Sequence, residues 1–324
     1  MTGNIDKIDK RVLYELDKNC RISDNQLAKM VRRSREAVRH RIKKLQQEGI
    51  IIGFRTAINP SKFGAMMFKL YFQLTSVPTE RRKFHEYFKQ LPGIYWFGES
   101  DGAWDFQATI YAKNVSEFNT LRNRILTAFR QIIIKRDWGV LIQVRNYPVR
   151  FLVPELQEYP EPATYAGELV FNTLDELDKK ILNILSSRAR IPLVELARRC
   201  QSTVDIIRNR MRKLEQKGII DKYRAVLDYT KIGYEYFKAF LYFDNLSENV
   251  ERKLIQYVHR HANIHFLIFQ LSSWEVELEI VAKNYQEFTF IMDGIRKEFV
   301  QEVRNYDFCA MREDVWYFGE KRGI

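Results

Sequence analysis

Residues 34–55 read SREAVRHRIKKLQQEGIIIGFR, and residues 203–224 read TVDIIRNRMRKLEQKGIIDKYR. In the first, Val38, Ile42 and Leu45 recur at i, i+4 and i+7, the buried stripe of an amphipathic helix. Ser34 stands where a helix cap belongs, and Gly49 stands where a helix ends. The face away from the stripe carries Arg35, Glu36, Arg39, His40 and Lys43. Upstream, Ile8, Val12, Leu13 and Leu16 have helical spacing, and Ser23 or Asp24 can cap a short helix carrying Leu27, Ala28 and Val31. Downstream, residues 50–58 are rich in β-formers. Three helices followed by a strand predict a winged helix-turn-helix.

The second stretch is the first one repeated. A shift of 169 residues lays Asp9 on Asp178, Leu13 on Leu182, Leu27 on Leu196, Arg39 on Arg208, Gly49 on Gly218 and Arg55 on Arg224. The match continues more weakly, with Gly64 on Gly233 and Lys69 on Lys238. After one inserted residue, Trp104 meets Trp274 and the AKN at 112 meets the AKN at 282. Such self-similarity marks a duplicated unit.

Each unit has a second part. AMMFKLYFQL, TERRKFHEYFKQ, IYWFGE, WDFQATIYA, SEFNTLRNRILTAF and RDWGVLIQVRNY alternate as strand, helix, strand, strand, helix, strand. That order is βαββαβ, a ferredoxin-like unit, and the second copy repeats it. The intervening FLVPELQEYPEPATYAGELVFNT holds three prolines, four glutamates and no Lys or Arg, the composition of a linker. The expected class is α+β, a tandem duplication. It has a winged helix in 1–60, a ferredoxin-like domain in 61–150, a linker in 151–172, a second winged helix in 173–229 and a second ferredoxin-like domain in 230–318.

Composition narrows the partners. The chain of 324 residues carries a net charge of +12, which favours a polyanion. Residues 1–58 are net +7 and residues 173–229 are net +5, so both helical parts are basic. The parts that follow them differ, with residues 59–150 at +7 and residues 230–324 at −3. Cys20, Cys200 and Cys309 are far apart with no CxxC, which predicts three buried thiols rather than a disulfide framework or a zinc site. MTGNIDKIDKR lacks the apolar stretch of a signal peptide, and FGAMMFKLYFQL is too short to span a bilayer. A cytoplasmic protein with no membrane partner is expected.

The cationic faces suit a DNA groove. A recognition helix meets base edges with its N-terminal half. Arg35, Arg39 and His40 in the first copy, and Val204, Arg208 and Asn209 in the second, are the candidate base readers. Arg can grip guanine O6 and N7, Asn can pair with adenine N6 and N7, and Val can touch a thymine methyl. Arg32, Arg33, Lys43, Lys44, Arg55, Arg212, Lys213 and Arg224 are the candidate phosphate contacts. Arg41 and Arg210 fall beside the apolar stripe and are expected to pair with an acid on the first helix.

IDKIDKRVLYEL, LAKMVRRSREAVRHRIKKLQQEGII and the βαββαβ unit with GESDGAWD at its middle turn resemble the Lrp/AsnC (feast/famine) transcription regulators. LDELDKKILNIL and LARRCQSTVDIIRNRMRKLEQKGII carry the same resemblance in the second half. The resemblance implies a DNA-binding transcription regulator whose ferredoxin-like (RAM-type) domains pair through their sheets and assemble into oligomers. It also implies an amino-acid effector near the middle turn, here Gly98, Glu99, Asp101 and Gly102. The aligned Ile268–Ser272 stretch of the second copy lacks both glycines and both acids.

One chain here supplies two units. Pairing within the chain predicts a pseudo-dimer with two unlike recognition helices, and so an asymmetric operator with half-sites about 34–36 Å apart or a multiple of that. Two other readings remain: a DNA-organising protein with little sequence preference, and an Lrp-like enzyme acting on a tetrapyrrole. The best enzymatic feature is the trio His259, His261 and His265. With no nucleophile elbow, phosphate loop or metal-ligand motif beside it, the expectation is no enzyme, no cofactor and no metal.

Overall fold

A computed structural model describes residues 5–316. The first copy opens with α1 (Lys7–Lys18), α2 (Asp24–Val31), α3 (Arg35–Gln47) and β1 (Ile51–Ile58). Asp6 and Ser23 close capping boxes with Asp9 and Gln26, and the Ser34 hydroxyl accepts from the Ala37 amide. Val38, Ile42 and Leu45 are the buried face of α3. The second copy repeats this as α6 (Glu176–Ser187), α7 (Leu193–Cys200), α8 (Val204–Gln216) and β7 (Ile220–Leu227). Arg41 donates to Asp6 and Asp9 at 2.8 and 2.7 Å, and Arg210 donates to Asp175 and Asp178 at 2.5 and 3.3 Å. Both arginines thus pin the third helix to the first.

The ferredoxin-like part of the first copy is β2 (Met66–Leu74), α4 (Pro78–Lys89), β3 (Ile94–Gly102), β4 (Phe106–Ala112), α5 (Val115–Phe129) and β5 (Ile133–Asn146). After a three-residue strand, β6 (Ala163–Tyr165), and the second winged helix, the pattern returns. It comprises β8 (Glu235–Phe243), α9 (Glu248–Arg260), β9 (Ile264–Leu271), β10 (Val276–Ala282), α10 (Tyr285–Glu298) and β11 (Val303–Trp316). The order is βαββαβ both times.

The two long strands, β5 and β11, join the copies. β5 pairs with β2 through residues 133–140, then with β9 of the other copy through 140–146. β11 pairs with β8 and then with β3. Eight strands therefore close into a ring, β5-β2-β4-β3-β11-β8-β10-β9 and back to β5, with β6 added at the far end of β5. Each half-ring holds an apolar core against its own helices. One is built on Phe68, Phe84, Phe97 and Phe106, the other on Phe237, Leu254, Phe269 and Ile291. Between the half-rings lie Tyr71, Trp104, Phe240, Trp274 and Cys309.

The wing strands also pair across the copies. β1 and β7 form an antiparallel ribbon in which Arg55 lies opposite Arg224. Contacts around it come in exchanged pairs. The Cys20 amide donates to Tyr223 O at 2.8 Å and Ala189 to Phe54 O at 3.0 Å, while Asn59 donates to Ile219 O and Asp228 to Ile50 O. The helices then dock on the opposite copy. The first set packs with Tyr236 and Val281, and the second with Met67, Tyr95 and Trp96.

Residues 151–172 do more than bridge. Phe151, Leu152 and Val153 enter the first helical core, Ala163 and Tyr165 enter the second, and β6 pairs with β5. A linker composition is here a strap, because Phe151, Leu152, Val153, Ala163 and Tyr165 find cover, while Tyr159, Val170 and Phe171 stay exposed. The three cysteines are buried. No helix among the described residues is long and apolar enough to cross a membrane.

Candidate nucleic-acid interface

The basic faces of α3 and α8 point outward. Arg35, Arg39, His40, Lys43 and Lys44 are all exposed, as are Arg32 and Arg33 in the turn before them. Arg32 adopts the left-handed conformation at φ 52° that ends α2 and turns the chain into α3. In the second copy Arg208, Asn209, Arg212 and Lys213 are exposed. Arg39 Nε lies 3.2 Å from Asp24, and Arg208 lies 2.5 Å from Asp205. Exposed pairs of this kind are weak and exchange readily for a phosphate or a base edge.

Asp24 also receives Arg190 from the second copy at 2.5 Å. Arg21, the counterpart of Arg190, donates to the Ala189 and Ile191 carbonyls at 2.6 and 3.1 Å. The two helix-turn-helix parts are thus tied at their turns as well as through the ribbon.

Three expectations need correction. Arg55 and Arg224 are not surface cations. Both are buried, because strand alternation turns them from the ribbon into the body of the protein. Arg224 is held by Asp17 at 2.9 and 2.5 Å and donates to the Asn146 and Tyr147 carbonyls; Arg55 donates to Asn146 Oδ1 at 3.3 Å. Burial disfavours the Arg224 charge, but Asp17 outweighs it and raises its pKa. Neither arginine can reach a phosphate.

Val204 is the second. It is half-buried against the second helical core, since the first turn of α8 leans inward there. Ile206 is the exposed apolar side chain of that turn, at 46% exposure. Its position off the i, i+4, i+7 stripe was the available signal.

The third concerns Gly98, Glu99, Asp101 and Gly102. They are not a free turn. They form the end of β3 and pair with β11, from Gly98 opposite Asp314 to Gly102 opposite Cys309. Gly102 has φ +127°, and a Cβ there would stand 2.6 Å from Phe308 O, so the close approach of the strands needs glycine. Asp101 pairs with Arg312 at 3.0 Å, and the buried Ser100 hydroxyl donates to Trp104 O at 2.7 Å. The stretch is a seam between the copies.

The histidine trio is dispersed. His265 is buried under the ribbon, 3.3 Å from Asn146 Nδ2 and 3.2 Å from the Tyr229 hydroxyl. Burial, then Arg224 and Arg55, push its pKa far down. His259 reaches Tyr159 O at 3.1 Å. His261 lines an open pocket of about 420 Å³ with Lys253, Gln256, Tyr257, Arg260 and Glu298, and burial and Arg150 lower its pKa to about 4. No cluster of three metal-binding side chains occurs among the described residues.

Known proteins align with this layout. Residues 5–52 match a winged helix-turn-helix DNA-binding family, and residues 174–215 match the AsnC-type helix-turn-helix domain. An uncharacterised HTH-type transcriptional regulator of Pyrococcus horikoshii is 32% identical over 119 residues, 36% of this chain and 79% of its own length. One of Pyrococcus abyssi is 45% identical over 62 residues, 19% of this chain, which thus spans 42% of that relative's length. Among solved structures, the siroheme decarboxylase NirDL covers 97% of this chain, with 95% of its own chain matched, at TM-score 0.62 and 14% identity. That likeness is one of fold. It overturns the expectation of no enzyme, which rested on missing catalytic motifs, because the tandem fold over its whole length is one an enzyme uses.

Proposed function

We propose, from the premise that this chain belongs to the Lrp/AsnC family of transcription regulators and carries the family's unit twice, that it reads double-stranded DNA at an asymmetric operator as a one-chain pseudo-dimer. The observation that carries this reading is the β1–β7 ribbon within one chain, which holds two unlike cationic helices with their basic faces outward. Arg35, Arg39 and His40 would address one half-site, and Arg208 and Asn209, with Ile206 in place of Val204 as the apolar contact, would address the other. Arg32, Arg33, Lys43, Lys44, Arg212 and Lys213 would set the register on phosphates. An amino-acid effector would act at the 98–102 seam, where a small change in pairing alters how the copies meet; thermal shift against individual amino acids tests this.

The main test selects bound sequences from random duplexes at near-physiological salt. Two unlike half-sites are the expected result. Binding without enrichment points instead to a DNA-organising protein, and a symmetric palindrome would sink the asymmetric reading.

The full-length fold likeness supports a second reading, decarboxylation of a carboxylate-rich iron tetrapyrrole. Arg260, and Lys253 on release from Glu298 at 3.0 Å, would offer cations beside His261 to the carboxylates of such a substrate. Loss of carbon dioxide from siroheme, followed by mass spectrometry on the whole protein, tests it; unchanged siroheme removes it.

A further inference from the structure

The interior of the strand ring holds charge. Lys69 on β2, Lys238 on β8, and Glu277 and Glu279 on β10 are 2%, 1%, 0% and 5% exposed. Lys69 donates to Glu277, while Lys238 lies 3.2 Å from Glu277 and 2.5 Å from Glu279. The Tyr71 hydroxyl donates to Glu277 at 2.7 Å, and Tyr236 donates to Glu279. The Lys238 ammonium sits 3.9 Å from the centre of the Trp96 ring. Burial lowers the Lys69 pKa to about 8, still protonated at neutral pH. Burial also works against the Glu277 charge, yet Lys69 and Lys238 hold its pKa low.

The cluster is unequal by origin. The copies agree on the lysine, for Lys69 and Lys238 are counterparts. They disagree on the acids. Lys238 faces Glu279 across β8–β10, whereas Lys69 faces Thr109 across β2–β4. Glu277 likewise stands opposite Phe240, where the first copy has Gln107 opposite Tyr71. The second copy supplies both carboxylates, so Lys69 finds its partner only by crossing to the other sheet.

We propose that this cluster is a pairing code: the sheet face of the first ferredoxin-like unit fits the second unit and rejects its own kind. Among the described residues, first with second brings two ammoniums and two carboxylates, which is neutral. First with first would bury two ammoniums against Gln107 and Thr109. Second with second would bury two ammoniums and four carboxylates. Each homotypic pairing leaves unpaired charge in a dry interior, which is strongly disfavoured. The inference rests on the one-chain pairing proposed above, and not on any DNA target. It also explains why duplication and divergence of the units belong together: once Glu277 and Glu279 face a lysine from each copy, neither copy replaces the other.

The test keeps the chain whole. E277Q/E279T gives both units the first copy's composition. Q107E/T109E gives both units the second copy's. Each is expected to lower Tm by roughly 10 °C or more. Q107E/T109E/E277Q/E279T transplants the acids to the other copy and restores the balance, and it is expected to recover at least half of that loss. If E277Q/E279T accumulates only unfolded, recovery of folded protein by the transplant carries the same information. A transplant no more stable than its parents, or parents as stable as the original, overturns the code. Light scattering on the unaltered chain separates this from the one-chain reading. A mass of 38.8 kDa places the code within one chain.

Discussion

At the scale of single residues, the arginines sort by surroundings rather than by type. Arg39 and Arg208 are exposed and weakly paired, while Arg55 and Arg224, equally basic in the sequence, are buried under the ribbon. Arg39→Ala and Arg208→Ala should therefore each relax a different half-site, by about 1–3 kcal/mol in binding competition against altered operators. Loss of preference at both half-sites from either change would contradict the assignment. Asp17→Asn should instead cost about 3–5 kcal/mol of stability, read by denaturant unfolding, because it strands the Arg224 guanidinium. His265 and His261 titrate with a definite sign. Their folded pKa values are depressed, so below the unfolded value near 6.5 the unfolded chain binds protons that the folded chain refuses. The histidine contribution to stability should be level above about pH 7 and should fall by up to ~1.4 kcal/mol per pH unit per histidine as pH drops from 6.5 towards 4. His265→Gln should flatten that slope in a Tm-against-pH series.

At the scale of elements, α3 and α8 are held by caps and apolar stripes that are local in sequence, and by the Arg41 and Arg210 tethers to the first helix of the same copy. Their contribution to DNA binding should appear as salt dependence. Removing Lys43 and Lys44 together should flatten the log Kd against log salt slope by roughly 2 if both meet phosphates, and leave it unchanged if neither does. The strap after β5 illustrates the opposite situation. Arg150 donates to the Val258 and His261 carbonyls at 3.2 and 2.9 Å and to His259 O, closing the C-terminal end of α9 from more than a hundred residues away. Arg150→Ala should cost about 1–3 kcal/mol, measured by unfolding, since buried carbonyls lose a charged donor.

At the scale of the molecule, each copy is incomplete alone. The first helices rest on the second sheet, the second helices rest on the first, and β5 and β11 each finish in the other half of the ring. A chain cut between the copies should therefore stay associated and fold as one unit. Nicking within residues 154–161 followed by gel filtration under native conditions checks this, and separation of the pieces would contradict the exchanged packing.

Periodicity, caps and the 169-residue repeat sufficed for the helices, the βαββαβ order and the outward basic faces, because those features depend on neighbours within a few residues. They could not show that β5 and β11 cross between copies, or that 151–172 is a strap, because those depend on surfaces meeting over long separations. The same limit explains the misplaced Arg55, Arg224 and Val204, and the 98–102 stretch that reads as a turn but pairs as a strand. A strand pattern says that side chains alternate, not which side is covered. What lies over β1, β3 and β7 was decided only when the two copies closed on each other.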